Sequence, residues 1–327
     1  MILTVTLNPS VDISYKLDHL KLNTVNRVVS VSKTVGGKGL NVSRVLVQLG
    51  EEVAATGFLG GSLGGFIRTQ INELMIKDYF IEGKEETRNC IAVIHDNLQT
   101  EILESGPKIS RKEAAEFLEQ FQSLVKETDI ITVSGSLPRG LETNFYGELL
   151  KIAHENHSII LLDSNGEALR QSLIGEYKPY LIKPNLEELA DLVERKIDSE
   201  QHVIQALHDP VLNGIPWIVV TLGDGGALVR NEEIVYRVKI PKVKVINPVG
   251  SGDSVIAGFA AGFSRKLPPT ETINYGIAMG VLNAMEEKTG FINTQKINWS
   301  ISEVQVEKLD SVSNYSDYSI KAVEKHD

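Results

Sequence analysis

Toward the carboxyl-terminal end, Asn247-Pro248-Val249-Gly250-Ser251-Gly252-Asp253 sets two glycines before an acid and runs into Ser254–Phe263, a small-residue stretch of helical character. Glycines at 250 and 252 let main-chain N–H groups turn toward an anion without Cβ interference, and a helix start adds the positive end of its dipole. Such a turn suits a phosphate whose charge spreads during transfer. Asp253 beside it can take a proton from an attacking hydroxyl. The alternative is a glycine turn whose aspartate caps the next helix.

Gly36-Gly37-Lys38-Gly39-Leu40-Asn41 leads into a helix expected over Val42–Leu49, closed by Gly50. Its glycines would let a polyhydroxy ligand lie against the backbone, Asn41 can both donate and accept, and Lys38 adds a cation; a solvent-facing loop explains it as well. Thr221-Leu222-Gly223-Asp224-Gly225-Gly226 follows an apolar run and could bring backbone close to a nucleotide, or be a tight turn. Neither GxGxxG nor GxxxxGK[ST] occurs, so neither a Rossmann dinucleotide site nor a Walker P-loop is supported.

Asp12 could bind a pair of sugar hydroxyls, and Arg27, Arg88 and Arg139 offer guanidinium forks that match phosphate oxygens, though each alone could be an ordinary surface arginine. Asn185 and Glu188, three apart at a helix start, suit Mg²⁺ directly or through its waters, or form a helix cap. The seven histidines form no cluster; His154 and His157 could share a helix face but lack a carboxylate partner. Cys90, the only cysteine, reads as a small buried apolar residue and excludes an intramolecular disulfide and any cysteine metal cluster.

The elements that must carry these residues read as α/β. Apolar runs at Ile2–Leu7, Ile130–Val133, Ile159–Leu162, Tyr180–Ile182 and Trp217–Thr221 each end in a polar or glycine-containing turn and mostly alternate with helix-like segments. That predicts a doubly wound, mostly parallel sheet flanked by helices, with ligands at the carboxyl ends of its strands. Asn8-Pro9-Ser10, Ser134-Gly135-Ser136-Leu137-Pro138 and Lys183-Pro184-Asn185 then face one cleft. Ser110 and Glu113 have capping-box spacing. Two segments break the alternation, about 11–34 and 89–104; in the second, Cys90–His95 and Thr100–Leu103 flank Asp96-Asn97 as a hairpin. They are expected to form a small β-sheet lid on one α/β domain spanning 1–310, with 311–327 as a tail or peripheral helix.

With 327 residues, 42% of them apolar, the chain can bury a large core. Its 43 acidic against 33 basic residues give a formal charge of −10, which speaks against nucleic acid and anionic membranes as partners. No segment reaches the ~18 apolar residues of a membrane span, and a cytoplasmic protein is expected.

Gly36-Gly37-Lys38-Gly39-Leu40-Asn41 and Asn247-Pro248-Val249-Gly250-Ser251-Gly252-Asp253 resemble the two signatures of the ribokinase-like carbohydrate kinases. Asn8-Pro9-Ser10-Val11-Asp12, Ser134–Pro138, Lys183–Glu188 and Thr221-Leu222-Gly223 match that family in order, so the resemblance runs from Met1 to about Asn293. The opening motif, the cationic Gly-Gly-Lys-Gly and Thr87-Arg88-Asn89 look like the branch acting on phosphorylated ketohexoses, the tagatose-6-phosphate kinases and the 1-phosphofructokinases, and more like the former.

The resemblance implies ATP and Mg²⁺, with Asp253 as base and the Gly250-Ser251-Gly252 backbone as anion hole. Asp12, Gly37, Lys38 and Asn41 would hold the sugar and Arg27 and Arg88 its phosphate, with Arg139 a further candidate. Thr221, Gly223 and Gly226 would lie against ATP, with Lys183 and Asn185 near its phosphates, Asn283 near the adenosine and Glu188 placing the metal. A homodimer formed through the lid is implied as well. The family signature more often opens with Asp where this chain has Asn247, which leaves no charge-based role there. A 1-phosphofructokinase, or a sugar-phosphate-binding regulatory protein on the same fold, would carry the same motifs.

Overall fold

The computed structural model describes residues 1–96 and 98–309, so the tail read over 311–327 lies outside the described residues. An 11-stranded sheet organises the chain. From one edge its strands run Gln305–Lys308, Ile234–Lys239, Ala227–Asn231, Trp217–Thr221, Leu181–Ile182, Ile159–Asp163, Ile130–Ser134, Ile2–Thr6, Val53–Gly60 and Lys77–Asp78, with Ile81–Gly83 also paired to Val53–Gly60. Neighbours from Trp217–Thr221 to Lys77–Asp78 are parallel, and the three strands at the opposite edge are antiparallel. Every residue of Ile2–Thr6 and Ile130–Ser134 is buried, because helices cover both faces.

The strand order reverses beside Ile2–Thr6. The chain passes from it to Val53–Gly60 on one side and later to Ile130–Ser134 on the other, so the loops leaving the carboxyl ends of the two central strands diverge and open a crevice. On one face pack Lys38–Gln48, Ser251–Ser264 and Pro269–Ala284, through Leu46, Phe259 and Met279. On the other lie Arg111–Val125, Phe145–Glu155, Gly166–Ile174 and Leu186–Leu192, through Phe117, Tyr146, Leu169 and Leu189. Ser251–Ser264 and Pro269–Ala284 touch at backbone level: a Cβ on Gly258 would lie 2.7 Å from the Gly276 Cα. That approach holds the helix that carries Asp253.

Two helix starts show how local sequence serves the site. The helix expected over Val42–Leu49 begins earlier, at Lys38, because Gly37 with φ 105° is its N-cap; Lys38 and Asn41 therefore stand in its first turn. Ser110 heads Arg111–Val125 with the expected capping box, the Glu113 main-chain N–H donating to Ser110 Oγ at 3.3 Å. Ser110→Ala should cost about 1 kcal/mol, read as a lowered denaturant midpoint at unchanged slope.

A separate four-stranded sheet runs Val31–Gly36, Ser10–Lys16, Arg88–His95, Leu98–Leu103. The hairpin is present, with pairs from Cys90↔Leu103 to His95↔Leu98. Ser10–Lys16 pairs in parallel with Arg88–His95, which joins the two interrupting segments into one sheet. No helix among the described residues is long and apolar enough to cross a membrane.

Candidate active site

Asp253 occupies the first turn of Ser251–Ser264, behind Gly250 in the left-handed region at φ 83°, where a side chain would be strained. Asp253 is 5% exposed, and Asn41 Nδ2 donates to its Oδ2 at 2.7 Å. Two glycine motifs 212 residues apart therefore meet at one hydrogen bond.

Around that bond stand two lysines and a second acid. Lys183 follows the Leu181–Ile182 strand, is 6% exposed, and presses on the anion turn: a Cβ at Gly252 would lie 2.9 Å from its Nζ. Lys38 Nζ and Lys183 Nζ lie 3.5 and 3.4 Å from the same oxygen of Asp163, which is 1% exposed at the end of Ile159–Asp163. Both Asp163 carboxylate oxygens lack a hydrogen-bond partner among the described residues, so this acid acts on the lysines through charge.

Burial, and then the negative charge of Asp163, push the Asp253 carboxyl up to about 6, against the Asn41 hydrogen bond and the charges of Lys38 and Lys183, which pull it down. The first cause is loss of water around the ionised form. An acid poised there accepts a proton near neutrality more readily than an ordinary aspartate. The acid limb of kcat/KM should accordingly fall near pH 6 as protonation removes the acceptor, and Asn41→Leu, lacking the donor, should move it to higher pH. A limb that stays in place would belong to the substrate's own phosphate instead.

Ser10 Oγ donates to Asp12 Oδ1 at 2.7 Å, and burial raises the Asp12 pKa. A Cβ at Gly36 would sit 1.9 Å from that oxygen, so the carboxylate lies directly across the glycine. Arg88 donates from Nε and a terminal nitrogen to the Asn8 carbonyl at 3.2 and 3.1 Å, and its charge reaches Asp12. Arg88 and Arg139, with Glu85, Glu86 and Glu104, line a cavity of about 460 Å³. Each glutamate has a local partner: Glu85 pairs with Arg139 at 3.6 Å, Glu86 accepts from the Leu63 N–H at 2.6 Å, and Glu104 from the Asn89 N–H at 2.7 Å. Arg27 is exposed in the loop joining Ser10–Lys16 to Val31–Gly36 and does not line this cavity.

The nucleotide-side candidates fall into two groups. Thr221 bridges Asn185 across the sheet end, and the turn after it is tight: a Cβ on Gly226 would lie 2.1 Å from the Val238 carbonyl, while Gly223 lies exposed at φ 61°. Asn185 and Glu188 exchange capping-box bonds of 2.8 and 2.9 Å, so both side chains cap the Leu186–Leu192 helix, and the Glu188 charge also reaches Lys38. Asn283 stands apart. It is fully buried, donates to the Val249 carbonyl at 2.9 Å and accepts from the Gly290 N–H at 2.9 Å, bracing the anion turn from inside.

Residues 5–296 match the pfkB family of carbohydrate kinases. The chain belongs to that family. It is 49% identical over 307 residues to the tagatose-6-phosphate kinase of Staphylococcus epidermidis, covering 94% of this chain and 99% of that protein. The structure of Escherichia coli phosphofructokinase-2 in complex with potassium superposes with TM-score 0.85 at 28% identity, over 92% of this chain and 98% of that one. The same enzyme in complex with fructose-6-phosphate gives 0.83 at 26%, with the same coverage. The large sheet, the separate small sheet and the helices on both faces are thus the ribokinase-like architecture, and the chain is a sugar kinase.

Asp163 belongs to none of the glycine-rich or basic motifs that mark the site in the sequence. The signal was present: it follows an apolar run in the position where the other strand-end loops hold their polar residues.

Proposed function

We propose that the chain transfers the γ-phosphoryl group of ATP to the C1 hydroxyl of D-tagatose 6-phosphate, giving D-tagatose 1,6-bisphosphate, a step of lactose and galactose breakdown by the tagatose 6-phosphate route. The observation that carries the substrate is the 49% identity to a tagatose-6-phosphate kinase across nearly the whole of both chains.

In this reading Asp12, Gly37, Lys38 and Asn41 orient the ketohexose and Arg88 with Arg139 meets its phosphate. Asp253 Oδ1, left free by Asn41, accepts the hydroxyl proton late in an in-line transfer. The Gly250–Gly252 amides and Lys183 receive the charge that develops on the transferred group. Thr221, Gly223 and Gly226 present backbone to the nucleotide. Among the described residues no three His, Cys, Asp or Glu side chains gather as a metal cage, which fits Mg²⁺ held mainly by phosphates and waters with Glu188 nearby. The metal would supply charge neutralisation between the phosphates.

The four-stranded sheet would close over the sugar, and its exposed Ile102 and Leu103 favour pairing of two copies there. The test of substrate is coupled ADP release with MgATP against tagatose 6-phosphate, fructose 6-phosphate, fructose 1-phosphate and ribose. Highest kcat/KM on tagatose 6-phosphate supports the reading. Preference for fructose 1-phosphate moves the chain to the neighbouring branch with its machinery unchanged.

A further inference from the structure

Arg44 lies one turn after Asn41 on the Lys38–Gln48 helix, and burial pulls its pKa down. A cation in such a place is ordinarily held by a carboxylate. Here the guanidinium donates to three uncharged oxygens: the Val35 carbonyl at 2.6 Å, the Asn41 side-chain oxygen, and the Thr289 carbonyl at 3.3 Å. The charges it feels are those of Asp12 and Asp253.

Each contact has a consequence at the reacting centre. An asparagine amide can point either end at a neighbour, and with its oxygen toward Asp253 it would repel the carboxylate. Arginine only donates, so its bond to Asn41 Oδ1 leaves Nδ2 for Asp253 Oδ2. The Val35 carbonyl belongs to the small sheet, one residue before the glycine on which the Asp12 carboxylate lies. Thr289 stands behind the anion turn: its Cγ2 would be 2.6 Å from a Cβ at Gly250. The next residue, Gly290, is held by Asn283 at 2.9 Å and by Gln48 Nε2 at 3.0 Å.

We propose that Arg44 is a positioning residue of the phosphoryl-transfer site, holding the Asn41 amide with its N–H toward Asp253 and pinning the main chain at Val35, beside the Asp12 carboxylate, and at Thr289, behind the anion turn. It rests on the reading of Asp253 as the base, and it makes Arg44 and Asn41 one unit rather than two independent contributions.

The test is a double-mutant cycle in kcat and KM with wild type, Arg44→Gln, Asn41→Ala and the pair. Arg44→Gln should lower kcat about 10- to 100-fold, the worth of a hydrogen bond to a charged group, while KM for ATP changes less than about threefold. In the Asn41→Ala background the same substitution should cost at least about threefold less than in the wild type, the remainder being the loss of the Val35 and Thr289 contacts. Arg44→Lys keeps the charge and the stem but cannot reach three acceptors with one ammonium, so it should not restore kcat. If Arg44→Gln does not fold, Arg44→Lys takes its place in the cycle. An equal loss of kcat with and without Asn41, or an unchanged kcat per folded molecule, overturns the assignment. A wild-type chain that releases no ADP with any sugar phosphate removes the functional reading, and this assignment with it.

Discussion

Asp253→Asn should lower kcat by about 10²–10⁴ while leaving the protein folded and, at pH 8, more stable than the wild type. The rate loss follows from chemistry: an amide of the same shape keeps the Asn41 contact and accepts no proton. The gain in stability follows from the same burial. The wild-type carboxyl has an ordinary value of 3.8 and is pushed to about 6 in the folded chain, so the folded state binds its proton more tightly than the unfolded state does. The sign is that of a raised acid. Its favourable contribution is complete below the unfolded value and is lost as pH rises through about 6, so above that pH the ionised group burdens the fold. At ~1.4 kcal/mol per unit the burden is on the order of 3 kcal/mol, which removal of the charge should return. Melting of the two proteins at pH 8 and pH 4.5 checks this. Asp253→Asn should be the more stable at pH 8, with the gap narrowing at pH 4.5. A variant that turns over normally would remove Asp253 from the mechanism, and one destabilised equally at both pH values would mean that the carboxylate is a structural partner.

Which parts of this arrangement were open to sequence reasoning depended on whether a residue announced its own environment. The anion turn did so, because Gly250 and Gly252 before an acid have few other uses, and the Asn41–Asp253 bond places Gly36–Asn41 beside it. The strand Val53–Gly60 did not. Its Val-Ala-Ala-Thr-Gly is weak in β propensity and carries no clear strand signal, yet all eight residues of the strand are buried. The reason is proximity: a Cβ at Gly57 would sit 1.9 Å from the Thr6 carbonyl, so small residues are what that register admits. Asn185 and Glu188 were legible as a pair in two ways, and both sides of their capping box are present, the charge of Glu188 nevertheless reaching the site. Asn283 shows the limit of reading a polar residue as ligand-facing, since its amide is taken up by main chain. The strand-end place of Asp163 is legible, but what it does there is not, and the same holds for Arg44. Each has its effect through partners distant in sequence, two lysines in one case and an asparagine amide in the other, and only the packed sheet brings them together.

Lys183→Met should reduce kcat by about 10²–10³, lower stability by about 3 kcal/mol, and raise the acid limb of the pH profile. The three effects share one cause, the loss of a buried positive charge between two carboxylates. Lys183 is the cation pressed against Gly252 in the anion turn, where charge develops as the phosphoryl group moves. It is also one of the two cations paired with Asp163, and Lys38, half-buried at 3.5 Å, cannot alone balance an acid that is 1% exposed. Its charge pulls the Asp253 pKa down, so its removal lets burial and Asp163 push that group higher. Lys38→Met should show the same signs with a smaller loss of stability, because its side chain is 38% exposed against 6% for Lys183. Lys183→Arg should not rescue the rate: the lysine is 6% exposed against the glycine turn, and the larger planar guanidinium would have to be fitted into a buried place shaped for a point charge. Steady-state kinetics across pH with a denaturant titration of each variant separates the effects. A Lys183→Met protein that loses stability but keeps kcat would confine this lysine to holding Asp163, and the developing charge would then rest on the Gly250–Gly252 amides and Lys38.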